Sequence, residues 1–152
     1  FFEENGNTVT VTEAPYVEMI NNFLRPELRR LRLPAESIWF QQDGATPHTA
    51  RVSMDVLRQM FPERLISRFG DMPWPPRSPD LTTCDFFLWG FLKSRVYENK
   101  PRTLGDLKEA IRAQVHAIDT PLLEHVHQGF LNRLATCYEQ DGHHMTDVIF
   151  KV

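Results

Sequence analysis

Three aspartates carry the pattern from which chemistry can be argued: Asp43, Asp80 and Asp85. Asp43 follows the short apolar and aromatic run Ser37-Ile38-Trp39-Phe40-Gln41-Gln42 and opens the loop Asp43-Gly44-Ala45-Thr46-Pro47-His48. Open α/β sheets gather ligand and catalytic groups where a rigid strand exits into a reachable loop. The plain alternative is an aspartate whose side-chain oxygen caps the following turn. Asp80 and Asp85 fall in Ser78-Pro79-Asp80-Leu81-Thr82-Thr83-Cys84-Asp85-Phe86-Phe87-Leu88-Trp89. Asp80, just ahead of Leu81, suits a helix N-cap. Asp85, early in a helix, complements the helix dipole. A strand-end aspartate paired with a helix aspartate suits something more. Oxygen-only ligands favour Mg²⁺ or Mn²⁺. Two such ions about 4 Å apart hold a phosphodiester, activate water and stabilise the leaving oxygen.

The elements that would position these acids follow from local pattern. Asn5-Gly6-Asn7 between Phe1-Phe2 and the alternating Thr8-Val9-Thr10-Val11-Thr12 predicts a hairpin, because Asn-Gly supplies the positive φ of a tight turn. Pro15 opens a helix with Tyr16, Ile20, Phe23 and Leu24 near one face, and Pro26 predicts a break or kink in it. Ser37 to Gln42 reads as a buried strand. Thr49 to Met60 reads as a helix with Val52, Val56 and Met60 four apart, and Leu65 to Phe69 as a second short strand. Prolines 73, 75, 76 and 79 predict a stiff, extended connection over residues 71–79. Beyond it come three helices: Leu81 to Tyr97, a clear amphipathic one through Leu104, Leu107, Ile111, Val115 and Ile118, and one starting at Thr120-Pro121. A last short strand is expected at Val148-Ile149-Phe150. Strands alternating with helices argue for an α/β fold, a sheet covered by helices.

Composition narrows the class. The 152 residues are 41% hydrophobic and 24% charged, enough apolar material for one packed core and too much for a disordered polymer. A net charge of −3 argues against a general nucleic-acid coat protein, so any nucleic-acid contact must be local. The apolar run Phe86–Leu92 is far shorter than the roughly 20 residues that span a bilayer, so no membrane partner is expected. Two cysteines, Cys84 and Cys137, without a CxxC motif fit a reducing compartment.

Trp39-Phe40-Gln41-Gln42-Asp43-Gly44-Ala45-Thr46-Pro47-His48-Thr49-Ala50 strongly resembles the second catalytic block of mariner-type transposases, and Ser78 to Trp89 resembles the third. The likeness covers most of the chain, from the opening strand through at least Tyr97. It implies an RNase H-like core with an Asp–Asp–Asp/Glu triad. Such a core binds two divalent metals and cuts, then joins, DNA strands without a covalent enzyme intermediate. In this mapping Asp43 is the second acid and Asp85 the third, both as catalytic residues and as ligands of Mg²⁺ or Mn²⁺. The third acid falls five residues beyond the first Asp of its block, hence on Asp85 rather than Asp80. His48 also matches the second block and would contact substrate phosphate or orient Asp43. The alternative is a satisfied loop histidine. Asp80 is held as a second supporting or substrate-contacting residue. The implied partner is DNA, as transposon ends and target, with a homodimer as one arrangement and the nucleus as location.

Two departures qualify the likeness. The acids before Asp43 are Glu3, Glu4, Glu13, Glu18, Glu27 and Glu36, with no Asp in an apolar strand to serve as the first acid. Between Asp43 and Asp85 lie 41 intervening residues, more than the commonest spacing in the family. The expectation is therefore a fragment of a longer protein. Residues 1–100 would form a partial RNase H-like core lacking its first strands, and 101–152 a helical extension packed on it. The polypeptide alone is expected to be inactive. The alternative is a non-catalytic, domesticated remnant acting as a DNA- or protein-binding module. The remaining candidates read as structural. Arg25, Arg29, Arg30 and Arg32 make a solvated face before a phosphate-binding one. His125, His127, His143, His144 and Cys137 fit no common zinc spacing. Trp74 packs its Pro-rich segment rather than stacking on a base.

Overall fold

The computed structural model describes residues 1–142 apart from Asn5. Two compact units make up the chain, Phe1–Ser78 and the stretch from Pro79 onward. The strand expected at Val148-Ile149-Phe150, with His143 and His144, lies outside the described residues.

The first unit is α/β. Strands β1 (Glu3–Glu4) and β2 (Asn7–Thr8) pair antiparallel, and the ladder is extended by the Val9 N–H donating to the Phe2 carbonyl at 3.1 Å. Gly6 supplies the positive φ of the turn, at 80°. The predicted β2 run to Thr12 is shorter in fact, and helix α1 begins at Glu13 (Glu13–Met19). The break expected at Pro26 takes another form. Ile20–Leu24 is a π turn in which the Arg25 N–H reaches back five residues to the Ile20 carbonyl. Helix α2 (Arg25–Arg30) then continues with Pro26 in its first turn. Widening the helix just before the proline accommodates the residue that has no N–H to give.

A three-stranded parallel sheet follows, in the order β3 (Phe40–Gln41), β4 (Leu65–Ser67), β5 (Met72–Pro73). Phe40 pairs with Leu65 and Gln41 with Ile66; Ile66 pairs with Met72 and Ser67 with Pro73. Part of the strand expected from Ser37 is instead a 3₁₀ turn, Ala35–Ser37. β5 lies inside the segment read only as extended linker. A proline is tolerated there because β5 is an edge strand. Among the described residues β3 is the other edge.

Helix α3 (Thr46–Thr49) and helix α4 (Arg51–Met60) connect β3 to β4, separated by Ala50 at ψ 142°. The buried face of α4 is Ser53, Met54, Leu57 and Met60, whereas Val52, aligned by spacing with Val56 and Met60, is 48% exposed. Met54, Leu57 and Met60 join Tyr16, Ile20, Phe61 and Leu65 in the core. Phe40 stacks on Phe61 with centroids 4.9 Å apart. Trp74 is buried, with its backbone N–H bonded to the Ser67 carbonyl at 2.9 Å, so it packs the Pro-rich segment onto the sheet.

The second unit is helical among its described residues. Cys84–Leu88 is a second π turn and runs into helix α5 (Trp89–Glu98). Helix α6 (Leu104–His116) starts from a complete capping box. Thr103 Oγ1 accepts from the Asp106 N–H, and the Asp106 carboxylate accepts from the Thr103 N–H, both at 3.1 Å. Helix α7 (Thr120–Glu139) is capped by Asp119, whose Oδ1 accepts from the Leu122 N–H at 3.0 Å. Among the described residues of the second unit, Leu81, Leu92, Val96 and Val126 are the buried apolar side chains. Among the described residues no helix is long and apolar enough to cross a membrane.

Candidate functional site

Asp43 is the second residue past β3, at the end where the chain leaves the sheet for α3. Its Oδ1 accepts from the Ala45 N–H at 3.0 Å, so the turn-capping reading of this residue is realised. The same Oδ1 lies 2.5 Å from His48 Nδ1. A carboxylate oxygen accepts, so Nδ1 carries the proton and the imidazole is oriented by Asp43. The proline at the start of α3 and the turn at Asp43 bring residues 43 and 48 face to face. The pair is partly exposed, 40% for the aspartate side chain and 28% for the histidine.

Behind the pair lies a buried polar cluster that sequence patterning did not single out. The Tyr16 hydroxyl donates to Gln42 Oε1 at 2.7 Å. Gln42 Nε2 donates to the His48 carbonyl at 2.9 Å and to Ser67 Oγ at 3.0 Å, and sits 3.4 Å from Met54 Sδ. The Tyr16 ring lies against the His48 ring, centroids 4.6 Å apart and planes at 38°. Burial pushes the Tyr16 hydroxyl well above the ordinary tyrosine range, and the negative charge of Asp43 adds to the shift. The signal available beforehand was one polar residue, Gln42, at a core-facing position two residues from Phe40. Its partner on α1 is 26 residues away and has no local signature.

Asp80 and Asp85 belong to the second unit. Asp85 is exposed in the first turn of the Cys84–Leu88 segment, its N–H bonded to the Thr82 carbonyl at 2.8 Å. Asp80 does not take the N-cap place read for it, because the helical segment starts later, with Thr83 at its cap position. Its charge instead acts on Arg133 of α7, whose guanidinium lies 4.4 Å over the Phe86 ring. Burial lowers the Arg133 pKa, and Asp80 opposes that shift. His125 and His127 are both exposed on α7.

Among the described residues no three His, Cys, Asp or Glu side chains form a group that could hold a metal ion. The donor that fits best is Asp43. Its Oδ1 is held by two N–H donors, while Oδ2 accepts no hydrogen bond among the described residues and is the hard anionic oxygen that Mg²⁺ or Mn²⁺ takes. His48 is committed through Nδ1 to Asp43, which makes it an orienting group for that carboxylate. None of the six glutamates upstream of Asp43 lies on the three-stranded sheet. The chain matches no protein-family model and no curated protein.

Proposed function

We propose that the chain is part of the catalytic domain of a mariner-type transposase, with an RNase H-like sheet built on β3 and β4. In this reading it cuts phosphodiesters of DNA and joins the resulting 3′-hydroxyl to a new strand. Asp43 and Asp85 are the second and third acids of the triad, and DNA, as element ends and target, is the substrate in the nucleus. The observation that carries the reading is the Asp43 carboxylate itself. It stands at the exit of a parallel strand, oriented by the Ala45 N–H and His48 Nδ1, with Oδ2 left open. That is the arrangement a strand-end metal ligand needs. The open outer edge of β3 among the described residues is what a sheet short of its first strands would present.

A bound divalent ion would polarise the scissile phosphate and lower the pKa of a coordinated water. Asp43 would offer one oxygen, and His48 would keep the carboxylate from rotating. Asp85 would add a second carboxylate from its helical turn. The triad needs a first acid, and none of the six glutamates upstream of Asp43 lies on the sheet among the described residues, so in this reading the described residues by themselves do not complete the site. Mg²⁺- or Mn²⁺-dependent nicking by the full-length protein tests the reading. Asp43→Asn and Asp85→Asn are each expected to lower nicking by at least about a hundredfold, in line with loss of metal-assisted catalysis. Unchanged nicking in both variants would end the proposal.

A further inference from the structure

Gln42 is 6% exposed and directly follows β3, on the core-facing side that Phe40 also takes two residues earlier, a position where an apolar residue is the ordinary choice. The amide is tolerated there because it is bonded to three other elements: α1 through Tyr16, α3 through the His48 carbonyl, and β4 through Ser67. The His48 carbonyl can only accept, so it requires Nε2 opposite and thereby sets the amide's orientation, with Oε1 facing the Tyr16 hydroxyl. Two of these bonds converge on one residue. Gln42 holds His48 by its backbone directly, and holds its ring through Tyr16, which lies 4.6 Å away centroid to centroid. His48 in turn bonds Asp43 Oδ1. Ser67 touches Gln42 and Met54 Sδ but is not bonded to His48 or Asp43.

We propose that Gln42, acting with Tyr16, is a positioning residue that fixes the direction of the Asp43 carboxylate through His48, so that Oδ2 remains the one open oxygen. The use of that oxygen for a divalent ion rests on the function proposed above; the positioning itself does not. A carboxylate that cannot rotate presents the same oxygen to every ligand, which is how supporting hydrogen bonds raise metal affinity without touching the metal.

The test uses the full chain, ¹⁵N-labelled at histidine, with Gln42→Leu, Tyr16→Phe and Ser67→Ala. In the wild type the His48 Nδ1 proton is expected as a downfield resonance protected from water. Gln42→Leu should abolish it, and Tyr16→Phe should speed its exchange by at least about tenfold, the lower end of the effect of losing a supporting hydrogen bond. Ser67→Ala, which removes a Gln42 contact that does not lead to His48, should leave it in place. Mn²⁺ affinity should fall in parallel, on the order of tenfold, in the first two variants only. If Gln42→Leu fails to fold, Tyr16→Phe decides alone. The proposal is overturned if the resonance is absent from the wild type, if it survives unchanged in Tyr16→Phe, or if Ser67→Ala removes it equally. A wild type that shows the protected proton, loses it in the variants and yet binds no Mn²⁺ upholds the positioning role and overturns the metal reading.

Discussion

Replacing Tyr16 with Phe probes the buried cluster through stability, and the size of the effect can be worked out at two pH values. At neutral pH the hydroxyl donates to Gln42 Oε1 at 2.7 Å inside the core. Deleting it leaves a buried acceptor unsatisfied, at a cost of about 1–3 kcal/mol. At high pH the comparison changes. The Tyr16 pKa is raised in the folded protein, first by burial and then by the charge of Asp43, so the folded state favours the neutral phenol. A group raised in this way contributes stability that is fully present below its unfolded pKa, about 10 for tyrosine. That contribution is lost as the pH climbs toward the folded value. While the folded phenol stays neutral, linkage removes about 1.4 kcal/mol from the wild type by pH 11. Tyr16→Phe has no such proton, so the gap between the two proteins should narrow by that amount. Urea unfolding at pH 7, 9, 10 and 11, followed by tryptophan fluorescence, reads the gap. Tyrosinate absorbance at 295 nm, as the wild-type minus variant difference, reads the ionisation directly. A gap that stays constant to pH 11, or a difference spectrum showing Tyr16 ionising at the ordinary tyrosine pH, would refute the buried hydrogen bond.

Two further substitutions test the packing that holds the sheet in place. Leu57→Ala empties a fully buried site on α4 and should cost about 2–5 kcal/mol in urea unfolding at neutral pH; a loss under 1 kcal/mol would contradict its place in the core. Gly70→Ala puts a Cβ 2.3 Å from the Leu65 carbonyl oxygen, in the turn between β4 and β5. It should destabilise by at least about 1–3 kcal/mol through forced backbone movement, and amide exchange should rise first around Leu65 to Trp74. A neutral effect would mean that the turn is differently built.

Much of the helical half was legible because its signals are local. Thr103 with Asp106, and Pro121 behind Asp119, fix where α6 and α7 begin through caps made within three residues. Asp43 was legible for a similar reason: an apolar run stops at Asp-Gly, and Gly and Pro shape the loop that follows. What escaped depends on distant partners. Of the three residues spaced four apart on α4, Met60 is buried and Val56 packs against the core, but Val52 does not. The helix starts at Arg51 and turns Met54 and Leu57 inward toward Tyr16, Ile20 and Phe61, leaving Val52 in solvent. β5 was hidden by Pro73, which cannot donate to a ladder and is accepted only because the strand is at an edge. Pro26 was read as a break or kink, since periodicity carries no sign of the π turn that precedes it. Tyr16 and Gln42 looked like a helix-face aromatic and a strand residue. Only the tertiary fold shows that they meet behind His48.

The proposed transposase reading requires that the carboxylates of Asp43 and Asp85 bind one shared set of divalent ions. A double-mutant cycle of Mn²⁺ affinity in the full-length protein tests it most directly, with Asp43→Asn, Asp85→Asn and the two combined. Shared ligation predicts that each single variant weakens binding at least about tenfold and that the double variant is little worse than either, because residues serving one site are not additive. Losses that add, or an Asp85→Asn variant that binds Mn²⁺ like the wild type, would contradict the claim.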